Sequence, residues 1–190
     1  MIETHPWPPF LPKNARILLL GSFPPPEKRW SIPFFYPNLQ NDFWRIAGWI
    51  YFQDKNRFLM PDARRFDQPK IEAFLREKGI ALYDVGRRVE RLEGNAADNR
   101  LKIVEPVDLA ELLKEIPDCS TVGATGQKAL EEILRQTDSP VSPPAMGTFS
   151  EAVVAGRSVR IFRLPSTSRA YPRPLEEKAE FYRNVLGDGK

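Results

Sequence analysis

The chain has 190 residues, is 42% hydrophobic and 28% charged, and so reads as one globular domain with a sizeable core, not as a disordered or fibrous protein. Its net charge of +3 is compatible with a nucleic-acid partner without requiring one. One cysteine, Cys119, excludes an internal disulfide and a cysteine-ligated iron–sulfur cluster. No apolar run can span a membrane, and the start of the chain lacks a signal-peptide pattern, so the expected compartment is the cytoplasm.

Residues 1–14 form a proline-rich leader, expected to pack on a single domain spanning 1–190. The 19 prolines are about twice ordinary usage and gather in 6–12, 24–37, 140–144 and 165–174. Aromatic residues are mixed through these stretches, which marks them as ordered loops. Ala15–Leu20 is a short apolar run ended by Gly21, and Asn41–Phe52 sets Phe43, Ile46, Ala47 and Ile50 at helical spacing. Gln68–Lys78 carries Ile71, Phe74 and Leu75 on one stripe, with Gly79 as its stop; Ile80–Val85 is a second apolar run. Val107–Ile116 repeats leucines at helical spacing before Pro117, Ser120–Ala124 is a third strand, and Gly126–Gln136 is a further helix. Ala145–Val154 reads as a short hairpin or an irregular loop. Ser158–Leu164 alternates Val159 and Ile161 against Arg160 and Arg163, and Pro174–Leu186 is a helix between a proline start and Gly187. These runs follow the periodicities and stop signals of strands and helices. Their alternation predicts an α/β fold, three-layer α/β/α, with helices on both faces of a central, mainly parallel four-stranded sheet.

Two loops then share an edge. Gly21-Ser22-Phe23-Pro24-Pro25-Pro26 follows the first strand and Leu164-Pro165-Ser166-Thr167-Ser168 ends the last. In a parallel sheet both open at the carboxyl ends of strands, where such sheets bind ligands. Gly21 allows a sharp turn or a close approach to the main chain. The loop is neither a Walker phosphate loop, lacking the Gly-Lys-Ser/Thr ending, nor a dinucleotide fingerprint, having one glycine; taken alone it is equally well a plain turn. Basic residues gather nearby: Lys28 and Arg29 after the first loop, Arg160, Arg163, Arg169 and Arg173 around the second, with Arg87, Arg88 and Arg91 as a third group. Each group alone reads as solvated surface; two of them flanking one proposed site are harder to dismiss in that way. Between the loops, Phe35, Tyr36 and Asn41 offer aromatic rings beside an amide, which suits a flat heterocycle stacked and read on its edge. Phe43 and Trp44 read as core, and Asn41 also reads as a plain helix cap.

Gly21-Ser22-Phe23-Pro24, Phe35-Tyr36-Pro37-Asn38-Leu39-Gln40-Asn41-Asp42-Phe43-Trp44 and Leu164-Pro165-Ser166-Thr167-Ser168, in this order, resemble the uracil-DNA glycosylase superfamily. They are most similar to its hypoxanthine-DNA glycosylase branch, with the mismatch-specific uracil/thymine glycosylases next. The likeness extends over residues 15 to 186. Leu82-Tyr83-Asp84-Val85, Arg91, Gly94–Asn99 and Thr125–Ala129 resemble that branch more weakly; without the family, Asp84 reads as a cap and Asp98 as a turn residue.

The resemblance implies an enzyme of base-excision repair that flips a deaminated base, hypoxanthine or uracil, out of double-stranded DNA and hydrolyses its N-glycosidic bond. It implies a monofunctional, monomeric enzyme without metal or cofactor, because no lysine in the motifs stands out as a Schiff-base nucleophile. By the same resemblance Asn41, Ser22 and Phe23 lie at the reacting sugar and base, with Asn41 positioning water or reading the base. Tyr36, with Phe35 as the alternative ring, Gly21 and Asp98 bind the base, and Pro165, Ser166, Thr167, Ser168 and Arg169 contact DNA. Two positions depart from the pattern. Relatives often carry Asp or Asn where Phe23 stands, and His or Asn where Leu164 stands. The only histidine, His5, lies in the leader and is not expected to replace the latter. Two other readings stay open: a non-catalytic nucleic-acid- or partner-binding member of the fold, which Phe23 and Leu164 favour, and an unrelated α/β enzyme handling nucleotides or nucleosides. Salt-sensitive duplex binding separates the last from the others, and base release separates the first two.

Overall fold

Ile17-Leu18-Leu19-Leu20 has no polar face, so a strand made of it needs cover on both sides. In the computed structural model, which describes residues 1–92 and 101–187, Leu18, Leu19 and Leu20 are fully buried at the centre of a sheet. In chain order the elements are β1 (Ile2–Thr4), β2 (Ile17–Gly21), α1 (Phe43–Phe52), α2 (Gln68–Lys78), β3 (Ile80–Asp84), β4 (Gly86–Arg91), β5 (Leu101–Pro106), α3 (Leu109–Glu115), β6 (Thr121–Thr125), α4 (Gln127–Leu134), β7 (Phe149–Val154), β8 (Arg157–Leu164) and α5 (Leu175–Leu186), with a short 3-10 turn at Glu27–Arg29.

The main sheet has the order β3-β2-β6-β8-β7. Its first four strands run parallel, in a register that sets Gly21 beside Asp84 and Thr125 beside Leu164. These are the four strands expected from the sequence, in the expected α/β class with flanking helices. β7 adds a fifth, antiparallel strand, because Ala155 and Gly156, both at positive φ (48° and 78°), make the tight reversal that a β-hairpin favours. Ala145–Val154 is therefore largely hairpin.

A second sheet, β1-β4-β5, is antiparallel. In β4 only Gly86 and Val89 are buried, so one face stays in water and the apolar signal is thin. The leader does more than pack. β1 pairs with β4, and Phe10 exchanges backbone hydrogen bonds with Leu82 (3.0 and 2.9 Å), covering the open edge of β3.

The helices end where local chemistry dictates. The Asp67 carboxylate accepts from Lys70 N–H ahead of α2, and Gly79, at φ 64°, closes it in the left-handed conformation that a glycine adopts without strain. Asp108 caps α3 in the same way. α1 begins at Phe43, two residues after the expected start, because Asn41 pairs with Ser168 as an isolated bridge instead of entering the helix. α1 and α5 pack on each other, α2 on β3 and α4 on β6. Trp44, Tyr182, Phe58 and Phe66 are among the largest fully buried side chains.

Candidate active site

The carboxyl ends of the four parallel strands converge on one cavity of about 150 Å³. β2 delivers Gly21 and Ser22, β3 delivers Asp84, β6 delivers Thr125, and the segment after β8 brings Ser166, Thr167 and Ser168. Tyr36, Asn38, Gln40 and Asn41, from the stretch before α1, complete the wall. An apolar cavity of about this volume admits a benzene-sized ring, so the space suits a small planar ring system.

Gly21 is constrained by proximity: a Cβ there would collide with Asp84 Oδ1 and lie 3.5 Å from the Tyr36 hydroxyl. Tyr36 is held at φ 51°, a backbone conformation that is strained for a bulky side chain and clusters at functional sites. Its ring lies flat on Phe43, with centroids 3.9 Å apart and planes 10° apart. Its hydroxyl is 2.9 Å from Thr125 Oγ1, which donates to the Leu20 carbonyl at 3.3 Å. The ring is thus fixed at both its face and its tip.

Asn41 is half-buried. Its Oδ1 accepts the Phe43 N–H at 2.9 Å, while its Nδ2 makes no hydrogen bond among the described residues. It caps the helix and lines the cavity at once, keeping two N–H protons and one lone pair for a ligand. Next to it Asp42 N–H donates to the Thr167 carbonyl at 2.9 Å. The Asp42 carboxylate lies 3.1 Å from Arg169 Nε and 3.3 Å from Lys178 Nζ, and that ammonium also donates to the Ser168 carbonyl at 2.9 Å. Tyr182 donates to the Pro165 carbonyl at 2.8 Å, and burial holds its phenol well above its ordinary pKa, as the neutral donor this bond needs. The second loop is therefore tied to α1 and α5 at Pro165, Thr167 and Ser168.

Asp84 is buried, and its Oδ2 is 2.9 Å from His5 Nε2. The imidazole packs among Tyr83, Phe23, Trp7 and Phe35, with ring centroids 4.6 to 5.9 Å away. Burial, then the Asp84 charge, raises the Tyr83 phenol, with Arg87 opposing. Among the described residues no group of three His, Cys, Asp or Glu side chains could hold a metal ion, and no helix is long and apolar enough to cross a membrane.

No family model matches the sequence. A hypoxanthine DNA glycosylase from Methanosarcina barkeri (strain Fusaro / DSM 804) is 33% identical over 132 residues, covering 68% of this chain and 76% of the relative. The chain belongs to the hypoxanthine DNA glycosylase branch of the uracil-DNA glycosylase superfamily. The solution NMR structure of a candidate uracil DNA glycosylase from Methanosarcina acetivorans superposes with a TM-score of 0.65, at 23% identity, over 100% of this chain and 99% of that one. The likeness of fold runs end to end. The enzyme class expected from the sequence, a DNA glycosylase, is the class named for its relatives.

The residues singled out in the sequence divide three ways. Gly21, Ser22, Phe23, Tyr36, Asn41, Ser166, Thr167 and Ser168 come together at the cavity of the enzyme. Phe35 does not: it is 2% exposed and packed against Phe34, Trp7 and Tyr83, with its carbonyl accepting Trp44 Nε1–H at 3.1 Å. Pro165 is buried behind the wall, and Arg169, half-exposed, spends its Nε on Asp42. Asp98 lies outside the described residues. The Ser166 and Ser168 hydroxyls accept the Ser168 and Ala170 N–H groups, each at 3.2 Å, so both already shape the loop. Leu164 is buried and lies against Gly123 in the core. His5 does not line the cavity, but the leader carries it to Asp84, the carboxylate on the cavity wall.

Proposed function

We propose that the protein hydrolyses the N-glycosidic bond of a deaminated base flipped out of double-stranded DNA, leaving an abasic site. Hypoxanthine, the base named for the Methanosarcina barkeri relative, is the leading substrate, with uracil second. We place the reaction in the cytoplasm, in a monomeric, monofunctional enzyme that uses neither metal nor cofactor. The observation that carries this reading is a base-sized cavity at the carboxyl ends of four parallel strands, with the Asn41 amide and the Tyr36 ring in its wall.

A flipped base entering there is met by Tyr36, whose ring is braced by Phe43, and by the main chain at Gly21 and Ser22, where the missing Cβ permits close approach. Asn41 retains a lone pair to hold a water and two protons to hydrogen-bond the departing base. That matters because the bond breaks as positive charge develops on the sugar and negative charge on the base. Phe23 can orient no water, so it serves as apolar wall and leaves Asn41 the polar task. The loop 165–169 and the nearby Arg29 are the candidates for phosphate contacts.

Labelled duplexes carrying one hypoxanthine, uracil or mismatched thymine, treated with enzyme and then alkali, test the reading. Wild type is expected to give cleavage at hypoxanthine, and Asn41→Ala none, with both still binding duplex. Unchanged turnover in Asn41→Ala would sink the role given to this residue. Duplex binding without release of any base by wild type would turn the reading to a binding protein, which Phe23 favours.

A further inference from the structure

Asn41 is carried by a short stretch of irregular backbone, residues 37–41. Such backbone keeps one conformation only when its polar groups are paired. Several of the pairs are local. The Pro37 carbonyl accepts the Ser31 N–H at 2.9 Å and the Ser31 hydroxyl at 2.8 Å. Asn38 Oδ1 accepts the Gln40 N–H at 2.9 Å, and the Asn38 carbonyl accepts the Asn41 N–H at 2.8 Å.

The carbonyls of Leu39 and Asn41 find a partner one turn further along the chain. Arg45 Nη1 donates to both, at 2.6 and 3.3 Å. The Asn41 carbonyl stands one residue ahead of the first carbonyl that α1 uses, that of Asp42, which accepts the Ile46 N–H at 2.8 Å. The guanidinium therefore reaches back past the start of the helix. One nitrogen bridges the carbonyls on either side of Gln40 and pins the backbone from which the Asn41 side chain springs.

Electrostatics alone would not place a guanidinium here. Arg45 is the third residue of α1, at the positive end of the helix dipole, where a cation is disfavoured. Burial, then the Arg169 charge, draws its pKa down, with Asp42 opposing. Its guanidinium carbon lies over the buried Phe66 ring, 5.7 Å from the centroid, which gives it a fixed platform. Arg45 is half-buried and is not among the residues lining the cavity. It reaches Asn41 and not a ligand.

An amide that holds a water and meets a departing base depends on where its stem points. A displacement of about 1 Å at a reacting group costs roughly 100-fold in rate. We propose that Arg45 is the positioning residue for Asn41: its guanidinium ties the Leu39 and Asn41 carbonyls together and so aims the Asn41 amide into the cavity. This rests on the reading above that Asn41 serves base release, and it adds the device that fixes the amide.

The test compares Arg45→Met, which keeps a long apolar stem over Phe66 but no donor, with Arg45→Lys, which keeps a charged donor. Single-turnover release of hypoxanthine is measured at saturating enzyme, well below the melting temperature of each variant. Arg45→Met is expected to slow release about 10- to 100-fold. Its affinity for a duplex carrying 2′-fluoroarabino-inosine, which resists cleavage, is expected to change little, so the loss falls on the chemical step. Arg45→Lys is expected to recover a large part of the rate. A residue that merely supports the fold would lower the melting temperature without slowing the folded enzyme. The side-chain amide resonances of Asn41, assigned by their loss in Asn41→Ala, give a second readout. They are expected to shift and broaden in Arg45→Met and to return toward wild type in Arg45→Lys. An unchanged release rate in Arg45→Met overturns the proposal, and so do unmoved Asn41 resonances. If wild type releases no base, the hydrolase reading fails, and the resonances by themselves decide whether Arg45 holds Asn41.

Discussion

Asp42→Ala removes the carboxylate that pairs with Arg169 and Lys178 at the junction of α1, α5 and the second loop. The Lys178 side chain is 0% exposed and that of Asp42 8%, whereas that of Arg169 is 51% exposed. Without Asp42, the Lys178 ammonium keeps only the Ser168 carbonyl at 2.9 Å as a hydrogen-bond acceptor, and it faces Arg169 without the charge between them. Stranding a buried charge costs about 3–5 kcal/mol, which for a chain of this size is a fall of roughly 6–20 °C in Tm. Lys178→Met is milder: Asp42 still has Arg169 at 3.1 Å, and the Ser168 carbonyl loses a donor, a loss of about 1–3 kcal/mol. The double variant Asp42→Ala/Lys178→Met is expected to be more stable than Asp42→Ala alone, because no charge is left stranded. Thermal melts by circular dichroism at neutral pH, with two-state behaviour verified, read all three. If Asp42→Ala lies within about 1 kcal/mol of wild type, or if Lys178→Met is the more damaging of the two, the buried charge is not what anchors the loop.

Gly21→Ala is expected to reduce base release far more than stability. The new methyl meets Asp84 Oδ1 at the cavity, an overpacking of about 1–3 kcal/mol, and kinetics with melting curves separate the two effects. Burial pushes the Cys119 thiol up to about 11 and the Tyr51 phenol up to about 12. Both acids hold their protons in the folded chain at pH values where the unfolded chain has released them. Their contribution is present at neutral pH and is lost as the pH rises through these values, so Tm is expected to fall between neutrality and about pH 11. A thiol reagent is expected to label Cys119 only after denaturation; rapid labelling of the folded protein would contradict its burial.

Much of the fold can be read from short-range pattern. An all-apolar run such as Ile17–Leu20 has one comfortable place, the middle of a covered sheet, and the Gly79 stop ends α2 because its φ of 64° suits glycine. Such features depend on neighbours a few residues away. β4 and β5 escaped because a ribbon with one wet face carries few apolar residues, and Phe35 and Tyr36 could not be told apart because the ring that reaches the cavity is chosen by a local left-handed turn. The two loops were visible because proline and small polar residues at strand ends mark a turn whatever the rest of the chain does.

The order of the four parallel strands and of the five helices, the two loops at one sheet edge and the branch of the superfamily were all determined by the sequence itself. Hydrophobic period, turn chemistry and motif order are properties of adjacent residues. What only the tertiary structure decided is which polar groups meet. His5 reaches Asp84 across 79 positions, Asp42 reaches Lys178 across 136, and Tyr36 reaches Thr125 across 89. No spacing along the chain encodes such pairs, because they arise when the leader, the loops and α5 close over the sheet and each buried polar atom must find a partner there.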